Sequence, residues 1–181
     1  MARSKAINDA VYVAEEPIVH MSRNDAEFLK ATVRQNERRR VRLCTHKDIK
    51  DRLQEMLIAF DRRSYIRPSK HINKEESMHI VEGIADFILF DEEGNITDVI
   101  PVGDYSSGRQ FYCRTPDSVH HTLLIRSNIF IIQETTQGPF QRSDTVFAPW
   151  APEDQNTAEV EKYMERLATE VENFKNRQSK T

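Results

Sequence analysis

Cysteine is scarce in this chain. The only two, Cys44 and Cys113, stand far apart and form no CxxC pair. That excludes a thiolate zinc site of familiar spacing and a disulfide-stapled secreted scaffold, and a reducing compartment fits. Long apolar runs are missing as well. No stretch approaches the roughly 20 apolar residues needed to span a bilayer, and the opening MARSKAINDAVYVAEEP lacks the apolar centre of a secretory signal. A cytoplasmic protein with no membrane partner is the expectation. Nor is there an excess of one charge. A formal net charge of -3 argues against a nucleic-acid partner held by broad phosphate neutralisation, and leaves a small neutral or anionic ligand open.

What is present suffices for one domain with a core, in 181 residues of which 38% are hydrophobic. Residues 1–47 read as an arm and a helix. Residues 1–21 have no strong period, although Val11, Val13, Ile18 and Val19 can add a short edge strand or dock on a partner. Ser22 with Asp25 has the pattern of a helix N-cap and its reciprocal acid, opening a helix over about 23–35 through Phe28, Leu29, Ala31 and Val33. Four arginines in five positions follow: Arg38, Arg39, Arg40 and Arg42. Such a run suits a phosphate or carboxylate near the core, or is simply a solvated face or subunit contact.

Residues 48–153 read as a β domain. From Ser64 onward short β-rich runs (SYIRPSKH, ESMHIV, IADFILF, NITDVIP, RQFYCR, VHHTLLI, NIFIIQET) alternate with turn signals, the pattern of a sandwich or barrel. Asp91 to Asn95 is a hairpin turn and Glu82-Gly83 another tight connection. Residues 48–60 stay ambiguous: Ile49, Leu53, Met56, Leu57 and Phe60 fall at helical spacing, whereas Met56 to Phe60 is also a buried strand. Residues 154–181 form a C-terminal helix and tail. Asn156 with Glu159 resembles a capping box, and Val160, Tyr163, Met164, Leu167, Val171 and Phe174 share a face that must cover the barrel exterior or a neighbouring subunit. Gln178 to Thr181 are expected to fray.

Strand alternation sorts the candidate chemical groups, because residues two apart share a face. In a regular strand Tyr65, Arg67, Ser69 and His71 lie on one side. His71 and Glu76 both face inward if the chain turns at Ile72-Asn73-Lys74-Glu75, and Glu76, Met78 and Ile80 then line the interior. His79 has the opposite parity and is left out of the site. His120 and His121 must diverge, and Leu123 and Ile125 share the face of His121. Two imidazoles and one carboxylate, His71, His121 and Glu76, are what a facial-triad iron site needs, and the same set suits manganese, nickel or zinc. The plain alternative is a hydrogen-bonded interior group that tunes stability.

At these residues the chain resembles the cupin superfamily. His71, four residues, Glu76, six residues and Gly83 match the later part of the first cupin motif, and Pro116-Asp117-Ser118-Val119-His120-His121 matches the second, placing His121 at the metal position. SYIRPSKH, FDEEG, HTLL, QGPF and FAPWAPE, with RRRVRLCTH upstream, resemble the WbuC-type cupin metalloproteins encoded beside O-antigen genes. Two positions depart: Ser69 stands where the family has its first histidine, and Ser118 where it has a glycine.

The resemblance implies a mainly β, cupin-type jelly-roll barrel with a short N-terminal helical segment and a C-terminal amphipathic helix. It implies a divalent metal on His71, Glu76 and His121, and a small-molecule substrate related to sugars or sugar nucleotides in bacterial surface polysaccharide (O-antigen, lipopolysaccharide) biosynthesis. A metal-free sugar-nucleotide isomerase or epimerase is the second reading, with His71 or His121 as base, Tyr65 or Tyr112 as acid, and Arg67 with the arginine run on the pyrophosphate. A non-catalytic binding module, its interior filled by Met78, Ile80, Phe87 and Leu89, is the third. A homodimer is expected, with the N-terminal arm pairing across it.

Overall fold

The periods that separate helix from strand in the sequence also assign each residue a face, and the computed structural model, which describes residues 2–179, can be followed on that basis. In chain order the elements are β1 (Ser4–Ala6), β2 (Val11–Ala14), α1 (Arg23–Val33), β3 (Arg40–Cys44), β4 (Leu53–Asp61), β5 (Ser69–His71), β6 (Glu76–Glu82), β7 (Ile84–Phe90), β8 (Ile96–Gly103), β9 (Tyr112–Thr115), β10 (His120–Ile125), β11 (Ile129–Gln137), β12 (Thr145–Phe147) and α2 (Thr157–Gln178). One sheet has the order β1-β2-β3-β4-β11-β6-β9 and the other β12-β5-β10-β7-β8. Strands β4 to β11 therefore divide as 4-11-6-9 and 5-10-7-8, two interleaved Greek keys, which is the jelly roll of the cupin type. The strands form two facing sheets.

Three apolar clusters make four layers. Between the sheets lie Met56, Ile58, Phe60, Met78, Ile80, Phe87, Leu123, Ile125, Phe130 and Ile132, with Leu89 packed against them. Outside the seven-stranded sheet, Leu29 and Val33 of α1 cover Val41, Leu43, Leu57, Ala59, Ile129 and Ile131. Outside the five-stranded sheet, Tyr163, Leu167 and Val171 of α2 cover Ile88, Phe90, Val99 and Leu124. The apolar face of α2 is thus spent on the barrel exterior.

Burial on both faces explains residues 48–60. β4 is covered by α1 on one side and the other sheet on the other, so an unbroken apolar run from Met56 to Phe60 is a strand sequence. It pairs with β11 from Leu53 to Asp61. Helical propensity gives way to this pairing, and Ile49 lies outside it.

The caps differ between the two helices. The Ser22 amide and hydroxyl both donate to Asp25 Oδ2 at 2.8 Å, closing the expected box on α1, and the Ala2 amide donates to Asp25 Oδ1 at 2.6 Å. Asn156 makes no side-chain cap on α2, so the box read there is not formed. Of the fraying expected at its end, Lys180 and Thr181 lie outside the described residues. Within the chain the arm folds back on its own sheet: β1 and β2 form a hairpin, and β2 runs parallel to β3 with Val11 beside Arg42. It covers the sheet edge within its own chain.

Two glycines hold required turns. Gly83, at φ 87°, passes the chain from β6 in one sheet to β7 in the other, where a Cβ would lie 2.4 Å from the Ile129 carbonyl oxygen. Gly94, at φ 89°, closes the β7–β8 hairpin against the Trp150 ring, 2.7 Å from where its Cβ would be.

Candidate functional site

Glu76 comes from one sheet and both histidines from the other. The chain leaves β5 at His71, turns through Ile72 to Glu75 with Asn73 at φ 56°, and enters β6 at Glu76 in the facing sheet. That crossing places His71 Nε2 3.3 Å from Glu76 Oε2. β10 pairs with β5 so that His121 lies opposite Ser69, and its Nε2 is 2.7 Å from Glu76 Oε1. The donor atoms of His71, Glu76 and His121 are all within 4.8 Å of one another.

Hydrogen bonding fixes what each ring can do. His121 Nδ1 lies 2.9 Å from the Val119 carbonyl oxygen, and a carbonyl only accepts, so this nitrogen carries the hydrogen. In a neutral ring Nε2 would then present a lone pair to a carboxylate oxygen at 2.7 Å. Two acceptors at that distance require a cation there, either a proton held by one of the pair or a metal ion. The protonation balance agrees. Burial alone lowers the His121 pKa, but the Glu76 carboxylate outweighs it and leaves it raised. Burial alone raises Glu76, but hydrogen bonds from His121 and His71 hold it well below the ordinary carboxylate range. On the far side of His71, Nδ1 is 3.2 Å from the Thr145 hydroxyl.

These residues line a cavity of about 330 Å³ between the sheets, of a size for a small ligand. Ser69 and Arg67 share its wall. Tyr65 and Tyr112 do not. β5 begins only at Ser69, so the alternation expected from Tyr65 onward fails before Pro68; Tyr65 turns out to the α2 side, its ring 6.0 Å from Tyr163 and its hydroxyl donating to the Pro152 carbonyl. Tyr112 pairs with His79 on the outward face of β9 and β6 and is exposed. The acids named for a metal-free isomerase are thus outside the site.

The sequence reading missed Glu134. It stands on β11 between Met56 and Met78, both core residues, and so faces the cavity. Burial, and then the Glu76 charge, raise its pKa, making it a carboxyl that can hold or release a proton. The alternation of NIFIIQET could have placed it on one face with Ile132, but not beside Glu76. His120, one residue from His121, faces the other way. It is buried beneath Trp150, ring centroids 6.0 Å apart, with neither ring nitrogen hydrogen-bonded among the described residues.

A family profile described as a domain of unknown function (DUF6016) matches residues 21–102, taking in His71 and Glu76 and ending before His121. No curated protein matches the chain. Among solved structures, the chain is similar to KdgF from Halomonas sp. (16% identity over 57% of this chain and 82% of that one, TM-score 0.42). It is similar to oxalate decarboxylase from Bacillus subtilis (16%, 55% and 24%, TM-score 0.41), and to procruciferin, an 11S globulin from Brassica napus (14%, 49% and 21%, TM-score 0.41). The chain spans about a quarter or less of the last two. Likenesses this distant assign no activity to it.

Proposed function

We propose that this protein is a mononuclear metalloprotein that acts on a small molecule bound between its two sheets. The observation that supports it is the Glu76 carboxylate facing a His121 Nε2 whose partner nitrogen is already committed to Val119. Two imidazoles and a carboxylate that converge on a cavity, with Ser69 where the family has a further histidine, leave room for substrate beside the ion. Bonds of about 2.1 Å put ligand atoms up to about 4.2 Å apart, so a 4.8 Å span needs only a small side-chain adjustment. The donor set suits iron(II) and also manganese, nickel or zinc; bound there, such an ion polarises a substrate oxygen or, if iron, supports dioxygen chemistry.

The chain's own residues supply the rest. Val119 orients His121, Thr145 sits behind His71, and Glu134 is the cavity's further proton carrier. A sugar-derived substrate from surface polysaccharide (O-antigen) synthesis is supported by the sequence resemblance of SYIRPSKH and FAPWAPE alone.

Elemental analysis of the protein as isolated, and after reconstitution with each of the four metals, tests the reading. Near-stoichiometric metal that falls at least tenfold in His121→Ala is the expected result. No metal in any preparation of the folded wild type would overturn it and leave a metal-free binding protein.

A further inference from the structure

Arg40 and Arg42 sit two apart on β3, opposite Phe60 and Ile58 of β4. Those partners belong to the core between the sheets, so both arginines face inward, and both line the cavity. A guanidinium at a core-facing position is costly unless something completes it. Arg38 has its complement in Asp154, at 2.8 Å. Among the described residues the hydrogen-bond partner of Arg42 is the Met56 thioether, at 3.8 Å. Arg40 makes no side-chain hydrogen bond or ion pair among the described residues. Burial, with Arg42 and Arg38 nearby, pushes its pKa down to about 10. On the opposite wall Arg67 lays its head over the Phe147 ring at 5.1 Å, gives the Ala148 carbonyl one long bond of 3.4 Å, and keeps a buried Nε without a partner.

The cavity's acids answer these charges only in part: Asp154 and Glu134 act on Arg40 through space, without a hydrogen bond or ion pair to it among the described residues. Asp154 serves Arg38, Asp144 is held by Lys74 at 2.8 Å, and Glu76 is engaged by the two imidazoles. Glu134 alone remains, against three guanidinium groups. We propose that Arg40 and Arg42, with Arg67 across the cavity, form an anion subsite, and that the ligand is a small molecule bearing a carboxylate or phosphate group held there while its other end reaches Glu76. β3 and β6 are three strand spacings apart, about 14 Å, and the two side chains span much of that, so the ligand is only a few bonds long. Arginine forks match either anion by paired hydrogen bonds. The inference rests on the cavity being the ligand site and is independent of metal.

The test is calorimetric titration of chelator-stripped, full-length protein with inorganic phosphate and, separately, with malonate. Saturable binding of one or both is expected, weakened at least tenfold in Arg40→Met and in Arg42→Met and changed less than threefold in His79→Ala, on the outward face of β6. Phosphate alone identifies a phosphomonoester ligand, malonate alone a carboxylic acid. In anion-free buffer Arg40→Met should unfold at the wild-type temperature or above, because a half-buried charge with no hydrogen-bond partner among the described residues has been removed. No saturable binding by either anion overturns the proposal. So does equal binding by wild type and Arg40→Met. If Arg40→Met does not fold, Arg40→Lys keeps the charge without the fork; several-fold weaker binding is expected, and unchanged affinity overturns the proposal. Because these arms use stripped protein, a failed metal analysis leaves them standing.

Discussion

His120 and His121 are consecutive, lie in one strand and are both largely shielded from water, yet they meet opposite surroundings. His121 points between the sheets, where a carboxylate 2.7 Å away favours its charged form. His120 points under α2, against Trp150, where burial outweighs the Glu92 carboxylate at 3.7 Å and lowers its pKa. The pair teaches that the five-stranded sheet separates two environments of different purpose. Its inner side keeps polar groups engaged with one another around a cavity. Its outer side is mostly apolar beneath α2, apart from the Asp86 carboxylate held by Arg126 at 2.6 Å and Lys175 at 2.7 Å, and burial there favours the neutral ring of His120.

Substitutions can break that contrast on either side. The largest effect is expected from His121→Ala, which leaves Glu76 with only the longer His71 contact; a loss of about 4 kcal/mol should appear in urea denaturation, together with the loss of metal. On the outer side, Leu167→Ala removes a fully buried anchor of α2. It should cost about 3 kcal/mol in the same assay, with metal content unchanged. Gly94→Ala drives a Cβ into the Trp150 ring at a left-handed position, for about 2 kcal/mol.

A pH series sharpens the comparison. Glu76 is depressed below its ordinary 4.5, so its contribution is present above that value and lost as pH falls through the folded pKa. His121 is raised above 6.5, so its contribution is complete below that value and lost as pH rises through the folded pKa. Metal-free protein should therefore gain most from this pair between pH 4.5 and 6.5, a maximum in thermal unfolding that Glu76→Gln should flatten. The smallest effect belongs to His120→Leu. His120 is lowered, so the unfolded chain takes up its proton first and stability falls on acidification below 6.5. Replacement should raise stability by less than about 1 kcal/mol at neutral pH, more in acid, with metal binding untouched.

Parity made the divergence of these histidines legible because HHTLLI is one regular six-residue strand. The same rule misplaced Tyr65 because β5 is only three residues long and the chain before it is irregular. Motif spacing brought His71 and Glu76 together, since the turn between them is local. Glu134 was not legible as a cavity residue, and for Arg40 and Arg42 the sequence left an anion site and a solvated face both open. Their faces are set by the registers of β11 and β3 against β4, which link residues far apart in the chain. The strand at 53–61 was ambiguous for the same kind of reason: its covering layers lie elsewhere in the sequence.

The crossing from β5 to β6 has a mechanical consequence. Glu76 hydrogen-bonds through its backbone in one sheet and through its side chain to histidines of the other, so the site is a clasp that adds to the apolar packing holding the two sheets against opening. Anything that tightens the clasp must slow that opening. Amide exchange on β6 and β10 should then fall in step when the site is filled, while amides of α1, which packs on the far side of its sheet, keep their own rate.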